Sequence, residues 1–305
     1  MSADLYRPAH LLTHSPLVLV HGLAPEGKDD PRLRQAARLL ARAGFAVAVP
    51  TIPGLTGLRL RPADAEPVVE TIRALPERFD GRLVALVAVS VGAAPALLAA
   101  ADPRVADQVA LVVSLGGYAS TVEVLRYALT GAYRYGGIGE RGEPNPDGAR
   151  LFLRANLDLL STLEDRARLA AWLDAPGSGR PRELSPEGES VLRLVENRDP
   201  DRLDPLVRAL PRLLQALLSA LSPQGALPRL KARLSLIHGR TDPVVPYTES
   251  LRLADAARRA GVPTRLTIMG AVEHVEASAD RRLSGRRLLE LTQLWTAAYE
   301  LFRSR

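Results

Sequence analysis

Three short stretches of this chain carry residue types that together can do acyl-transfer chemistry: AVSVG with Ser90, HGRTDPVVP with Asp242, and GAVEH with His274. A serine hydroxyl is a weak nucleophile until a base takes its proton. A neutral imidazole, which titrates near ~6.5, can take that proton at physiological pH. A carboxylate can orient the imidazole and stabilise its protonated form. The chain order serine, aspartate, histidine is the one used when the nucleophile sits on a sharp strand-to-helix turn of an α/β sheet.

Each stretch also has a plainer reading. Ser90 ends the apolar run LVALVAV, and Val91 and Gly92 open a run of small residues. A tight turn there needs small neighbours two before and two after the serine, because larger side chains would meet the adjacent strand or helix. Gly92 meets this need, whereas Ala88 stands where glycine is more usual. Read alone, Ser90 could equally cap a helix. Asp242 lies just past the strand-like RLSLIHG, in a loop stiffened by Pro243 and Pro246, and an aspartate there could serve only the turn. His274 follows PTRLTIMG. Parallel strands all end on one side, so the three residues are expected at one sheet edge.

An oxyanion needs two donors. The Val91 backbone N–H opens a helix, where the dipole also favours negative charge. The second is expected from the loop HGLAPEG, at the Leu23 N–H. His10 and His14 precede the first strong strand. His21 and His238, in VHG and IHG, are expected to brace loops, and Glu273 and Glu276 beside His274 to be solvated.

The elements that must position these residues alternate. PLVLVHG (16–22), FAVAVP (45–50), RLVALVAVS (82–90), QVALVVSLGG (108–117), RLSLIHG (233–239) and PTRLTIMG (263–270) read as strands buried on both faces. Helical periodicity separates them. The first helix is marked by Asp29, Asp30 and Pro31 and stopped by Gly44. Others are expected over 63–78, after Ser90, over 247–261 and over about 280–303. This pattern predicts a mostly parallel, doubly wound α/β sheet. Residues 118–230 interrupt it. They contain amphipathic stretches, no convincing strand, and a glycine-rich loop at 135–148. The expected division is a core of 1–117 and 231–305 with a helical cap, 118–230, over the strand ends where ligands bind.

Composition narrows the functions. The net charge of +6 comes from arginine, since Lys28 and Lys231 are the lysines among 40 basic residues, and these are interspersed with acids. Aromatics are 4 % of the chain, which argues against base-stacking platforms and so against nucleic-acid binding. The absence of cysteine excludes disulfides, a thiolate nucleophile and cysteine zinc sites. The first residues do not read as a signal peptide, and no apolar run reaches the ~18 residues of a membrane span. A cytoplasmic location is the resulting expectation.

In VLVHG, AVSVG, HGRTDPVVP and GAVEH the chain resembles the α/β-hydrolase superfamily, over about 16–117 and 231–303. Within it, HGLAPEGKDDPRLRQAARLLARAGFAVAVPTIPG is similar to bacterial dienelactone-hydrolase-like and esterase-like proteins. The resemblance implies a Ser90 nucleophile, a His274 base, an Asp242 orienter and oxyanion donors at Leu23 and Val91. The N-terminus is too short for the pair of leading antiparallel strands that many members carry. The expectation is a serine hydrolase cleaving a carboxylic ester or thioester of a small, largely apolar molecule, with no metal or other cofactor, and losing activity below about pH 6. Two alternatives stay open: peptide, carbon–carbon or acyl-transfer chemistry on the same triad, and a non-catalytic scaffold on the same fold.

Overall fold

The computed structural model describes residues 2–8, 15–75, 79–175, 177 and 179–270, and the backbone of 272–273 and 276–277. His274 and the expected helix over 280–303 lie outside the described residues.

The chain builds a seven-stranded sheet from β1 (Ala3–Tyr6), β2 (Ser15–Val20), β3 (Phe45–Pro50), β4 (Val84–Val89), β5 (Val109–Leu115), β8 (Arg233–Gly239) and β9 (Thr264–Met269), in the order β1-β3-β2-β4-β5-β8-β9. All neighbours are parallel except β1, which runs antiparallel to β3. The six expected strands are present. β1 is an addition that the sequence reading missed, because its alternately exposed and half-buried ADLY carries no apolar run. It forms an edge, where half-burial is normal.

Helices cover both faces. Asp30 caps α1 (Pro31–Arg42) by accepting from the N–H groups of Arg32 and Leu33, and Gly44 ends the following turn at φ 98°. Leu33, Ala37 and Ala41 of α1 pack on Leu17, Leu19 and Val47. The opposite face is covered by α3 (Ala65–Ala74), α4 (Ala93–Ala100) and α11 (Thr248–Arg259). Chain order reverses at β2, since β3 lies on one side of it and β4 on the other. Such a reversal opens a crevice beyond the strand ends.

Between β5 and β8 lie α5 (Thr121–Thr130), α6 (Pro146–Arg154), α7 (Leu163–Asp174), α8 (Pro186–Glu196), α9 (Leu203–Arg208) and α10 (Arg212–Ala220), which share an apolar cluster of their own. The amphipathic stretch 149–176 is not one helix. It breaks before Thr162, whose hydroxyl accepts from the Asp165 N–H to start α7. Buried Arg126 joins α5 to the start of α9 through Asp204 and the Pro200 carbonyl, and also pairs with Glu123 on α5 itself.

This region also corrects the expectation of no strand and a glycine-rich loop. β6 (Ala132–Tyr135) and β7 (Ile138–Arg141) form a hairpin. Gly136 and Gly137 turn it with φ of 57° and 84°, the paired positive values of the two-residue turns that suit strand twist. The hairpin docks on α11. Tyr135 donates to Asp255 at 3.0 Å, while Arg252 donates to the Arg134 carbonyl and stacks over the Tyr135 ring. Among the described residues no helix is long and apolar enough to cross a membrane.

Candidate active site

β4 delivers Ser90 into a backbone conformation that L-residues rarely adopt. Its φ is 54°, and the side chain is almost entirely buried. Left-handed backbone costs a non-glycine residue about 1–2 kcal/mol, so the surrounding chain must impose it. Gly92 is part of that constraint. A Cβ at this position would lie 2.2 Å from the His21 carbonyl oxygen, so only glycine lets the turn approach the end of β2 this closely. Ala88 does not prevent the turn. It is fully buried in the apolar layer, in register with Val20 of β2 and Ser114 of β5.

The turn after β2 lies against Ser90. A Cβ on Gly22, the residue before Leu23, would stand 3.5 Å from the Ser90 Cβ. His21 braces this loop, as its position suggested. Its Nδ1 lies 2.8 Å from the Gly22 carbonyl, and its Nε2 accepts from the Ile52 N–H at 3.3 Å. Burial holds its pKa below the ordinary value, against the smaller opposing influences of the Gly22 hydrogen bond, Asp64 and Asp30, so the ring is favoured neutral.

Asp242 follows β8 and is buried. Its Oδ1 accepts from the N–H groups of Val244 at 2.8 Å and Val245 at 2.9 Å, so it does shape the turn. Its Oδ2 lies 3.4 Å from His238 Nε2. That nitrogen is also 2.9 Å from the Val245 carbonyl, an obligate acceptor, so Nε2 donates there, and Nδ1 lies 2.7 Å from the Ser250 hydroxyl. His238 thus stiffens the aspartate loop.

Packing joins this loop to the nucleophile turn. Val245 contacts Ala94 and Tyr118 in a small cluster against which Val91 and Val124 pack. Ser90 and Asp242 therefore belong to one neighbourhood beyond the strand ends. The backbone of Val272–Glu273 pairs with Glu276–Ala277 and runs beside β8. His274 is outside the described residues.

Several residues of this neighbourhood were not foreseen. Glu249, on the first turn of α11, is buried and its Oε2 accepts from the N–H groups of Ala119 at 3.1 Å and Ser120 at 2.7 Å. Its Oε1 takes a hydrogen bond from Arg252 at 3.0 Å. Tyr127, Tyr133 and Tyr247 form a chain of edge-to-face rings with centroids 5.6 and 6.0 Å apart. The visible signal was three tyrosines, 127, 133 and 135, close together in a chain poor in aromatics. Arg59 bridges to the 118–230 region, with its guanidinium 2.7 and 2.8 Å from the two Asp158 oxygens and 3.2 Å from Asn156 Oδ1.

Comparison with known proteins agrees with this architecture. The Pyrococcus horikoshii acylaminoacyl peptidase superposes with a TM-score of 0.55 at 16 % identity, covering 98 % of this chain. This chain spans only 39 % of that peptidase's length. A candidate dienelactone hydrolase from Klebsiella pneumoniae gives 0.51 at 13 % identity, over 96 % of this chain and 90 % of that one. An esterase from Pyrococcus furiosus gives 0.50 at 12 % identity, over 95 % and 81 %. At such identities the likeness concerns the fold. No curated protein matches the sequence significantly. The sequence profile described as the alpha/beta hydrolase family matches residues 17–280, most of the sheet and everything inserted into it, and the chain belongs to that family.

Proposed function

We propose that this protein is a serine hydrolase acting on a carboxylic ester or thioester of a small, largely apolar substrate, with Ser90 as nucleophile, His274 as base and Asp242 as the group that orients it. The observation that carries this reading is the left-handed backbone of Ser90 at the end of a buried central strand, beside the turn after β2. A serine that merely capped a helix would need no such conformation; the Ncap is normally extended.

The Ser90 hydroxyl attacks the acyl carbon as its proton passes to His274. The negative oxygen of the tetrahedral species rests on the N–H groups of Leu23 and Val91, where one donor is worth about 3 kcal/mol. His274 then protonates the departing alcohol or thiol, leaving an acyl-Ser90 ester. Water, deprotonated by His274, attacks that ester and releases the acid and free Ser90. No metal or organic cofactor enters these steps. Residues 118–230 act as a cap over the site, a role supported by the Arg59 bridge and by the tie from Glu249 to the start of the segment. Its apolar helices supply the greasy side of the pocket.

The test is turnover of an ester and thioester panel of graded acyl length by the intact chain and by Ser90→Ala, Asp242→Asn and His274→Ala. Loss of about 10⁶-fold in kcat for the serine and histidine variants, with unchanged melting behaviour, is the expected result. A rate indifferent to His274→Ala would refute its assignment.

A further inference from the structure

We propose that the outer face of α1 docks this protein on an anionic lipid surface, with Arg34, Arg38 and Arg42 on the headgroup phosphates and Leu39 in the apolar layer just beneath. The docking does not depend on the roles given to Ser90, Asp242 and His274.

α1 departs from the charge pattern of the other helices. It carries Arg32, Arg34, Arg38 and Arg42 and no acid, so this one helix accounts for +4 of the chain's net +6. Elsewhere a helical arginine has an acid one turn away. Arg73 pairs with Glu70 on α3, Arg126 with Glu123 on α5, Arg193 with Glu189 on α8 and Arg258 with Asp255 on α11. On α1, Arg32 pairs with Asp30 at the helix start. Arg34, Arg38 and Arg42 make no ion pair among the described residues. Geometry keeps these three together. Leu33, Ala37 and Ala41 turn into the core, and each is followed by one of the exposed arginines. Recurring every fourth residue, the arginines form a row along one side of the helix. Like charges repel at that spacing, and α1 has no carboxylate to relieve them. Gln35 and Leu39 stand on the outer arc beside the row, and Leu39 is 54 % exposed.

Chemistry selects the partner. A guanidinium group donates in a planar fork that matches phosphate oxygens. A bilayer with acidic headgroups offers a plane of phosphates to the row and, about 5–10 Å below, an apolar layer for one leucine. A nucleic acid answers the charge but offers nothing to Leu39, and α1 has no aromatic residue to stack on bases. The row also starts at the sheet edge that carries Ser90 and Asp242, because β2 leads through residues 21–30 into α1. A docked molecule therefore holds that edge close to the layer in which apolar esters collect.

The test is co-sedimentation of the intact chain with vesicles of phosphatidylcholine, alone or mixed with phosphatidylglycerol at about 2:1, at low and high salt. Binding to the acidic vesicles alone, lost as salt rises, is the expected result. Each arginine near such a surface is worth about fivefold in partitioning, so Arg34→Gln/Arg38→Gln/Arg42→Gln should weaken binding roughly 100-fold. Leu39→Gln should weaken it about tenfold, through lost apolar burial. Glutamine favours helix, so both variants should keep the parent melting temperature. Removing as many exposed cations elsewhere, at Arg208, Arg212 and Arg229, should change binding by no more than about twofold. Absence of binding to acidic vesicles at low salt would overturn the proposal. So would equal binding to both vesicle types, equal losses from the two triple variants, or a Leu39→Gln variant that binds like the parent. Binding to duplex DNA through the three arginines, with none to vesicles, would replace the lipid with a nucleic acid and overturn it as well.

Discussion

Glycine at position 90 should behave unlike glycine at an ordinary position. Ser90 has φ 54°, a conformation that costs an L-residue about 1–2 kcal/mol and glycine essentially nothing. Comparing Ser90→Ala with Ser90→Gly keeps the hydroxyl absent from both and isolates the Cβ. Replacing alanine by glycine normally loses about 0.5–1 kcal/mol to chain entropy, plus roughly the burial of one methyl group, ~0.8 kcal/mol. Ala96→Gly in α4, at a fully buried helical position, measures that ordinary cost. At position 90 relief of backbone strain offsets it. The alanine-to-glycine step should therefore be about 1–2 kcal/mol more favourable at 90 than at 96. For a chain of this size that is roughly 2–4 °C in melting temperature, also readable as a shift in urea midpoint at constant slope. If glycine is as costly at 90 as at 96, the serine is not held in the strained turn, and the argument for a presented nucleophile fails.

Other consequences are simpler. Gly92→Ala sets a methyl group 2.2 Å from the His21 carbonyl and should cost about 1–3 kcal/mol or more in denaturant unfolding while abolishing turnover. Arg59→Ala removes a solvent-accessible bridge and should lower stability by no more than about 1 kcal/mol. If 118–230 is a cap, the same variant should raise KM for long acyl esters and expose the segment to limited proteolysis. His21 titrates below its ordinary value of 6.5 because it is buried. Below that pH the unfolded chain binds a proton that the folded chain refuses, so this contribution is complete above pH 6.5 and is lost as the pH falls towards the folded value. His21→Gln should flatten the acid limb of the stability–pH curve by up to about 1.4 kcal/mol per pH unit.

What the sequence disclosed follows from how residues are buried. Strands covered on both faces read as apolar runs, so β2, β3, β4, β5, β8 and β9 were legible. β1 was not, because a half-covered edge needs no such run. The hairpin of β6 and β7 was hidden because Gly136 and Gly137 signal a loop as readily as a two-residue turn, and the strands are only four residues each. Ser90 and Asp242 were legible as candidates because both lie at the ends of recognisable strands. Glu249 and the row of tyrosine rings were not. Glu249 looks like any acid on a first helical turn until α11 is seen against Ala119 and Ser120. Tyr127, Tyr133 and Tyr247 meet only once the hairpin docks on the core.

The central claim is that Ser90 is an activated nucleophile. Treating the folded chain with a fluorophosphonate and mapping the adduct by peptide mass spectrometry tests it most directly. One adduct on Ser90, absent from Ser90→Ala and formed far more slowly in His274→Ala, is the expected outcome. A folded sample that takes up no label, or takes it up at another residue, would contradict the account.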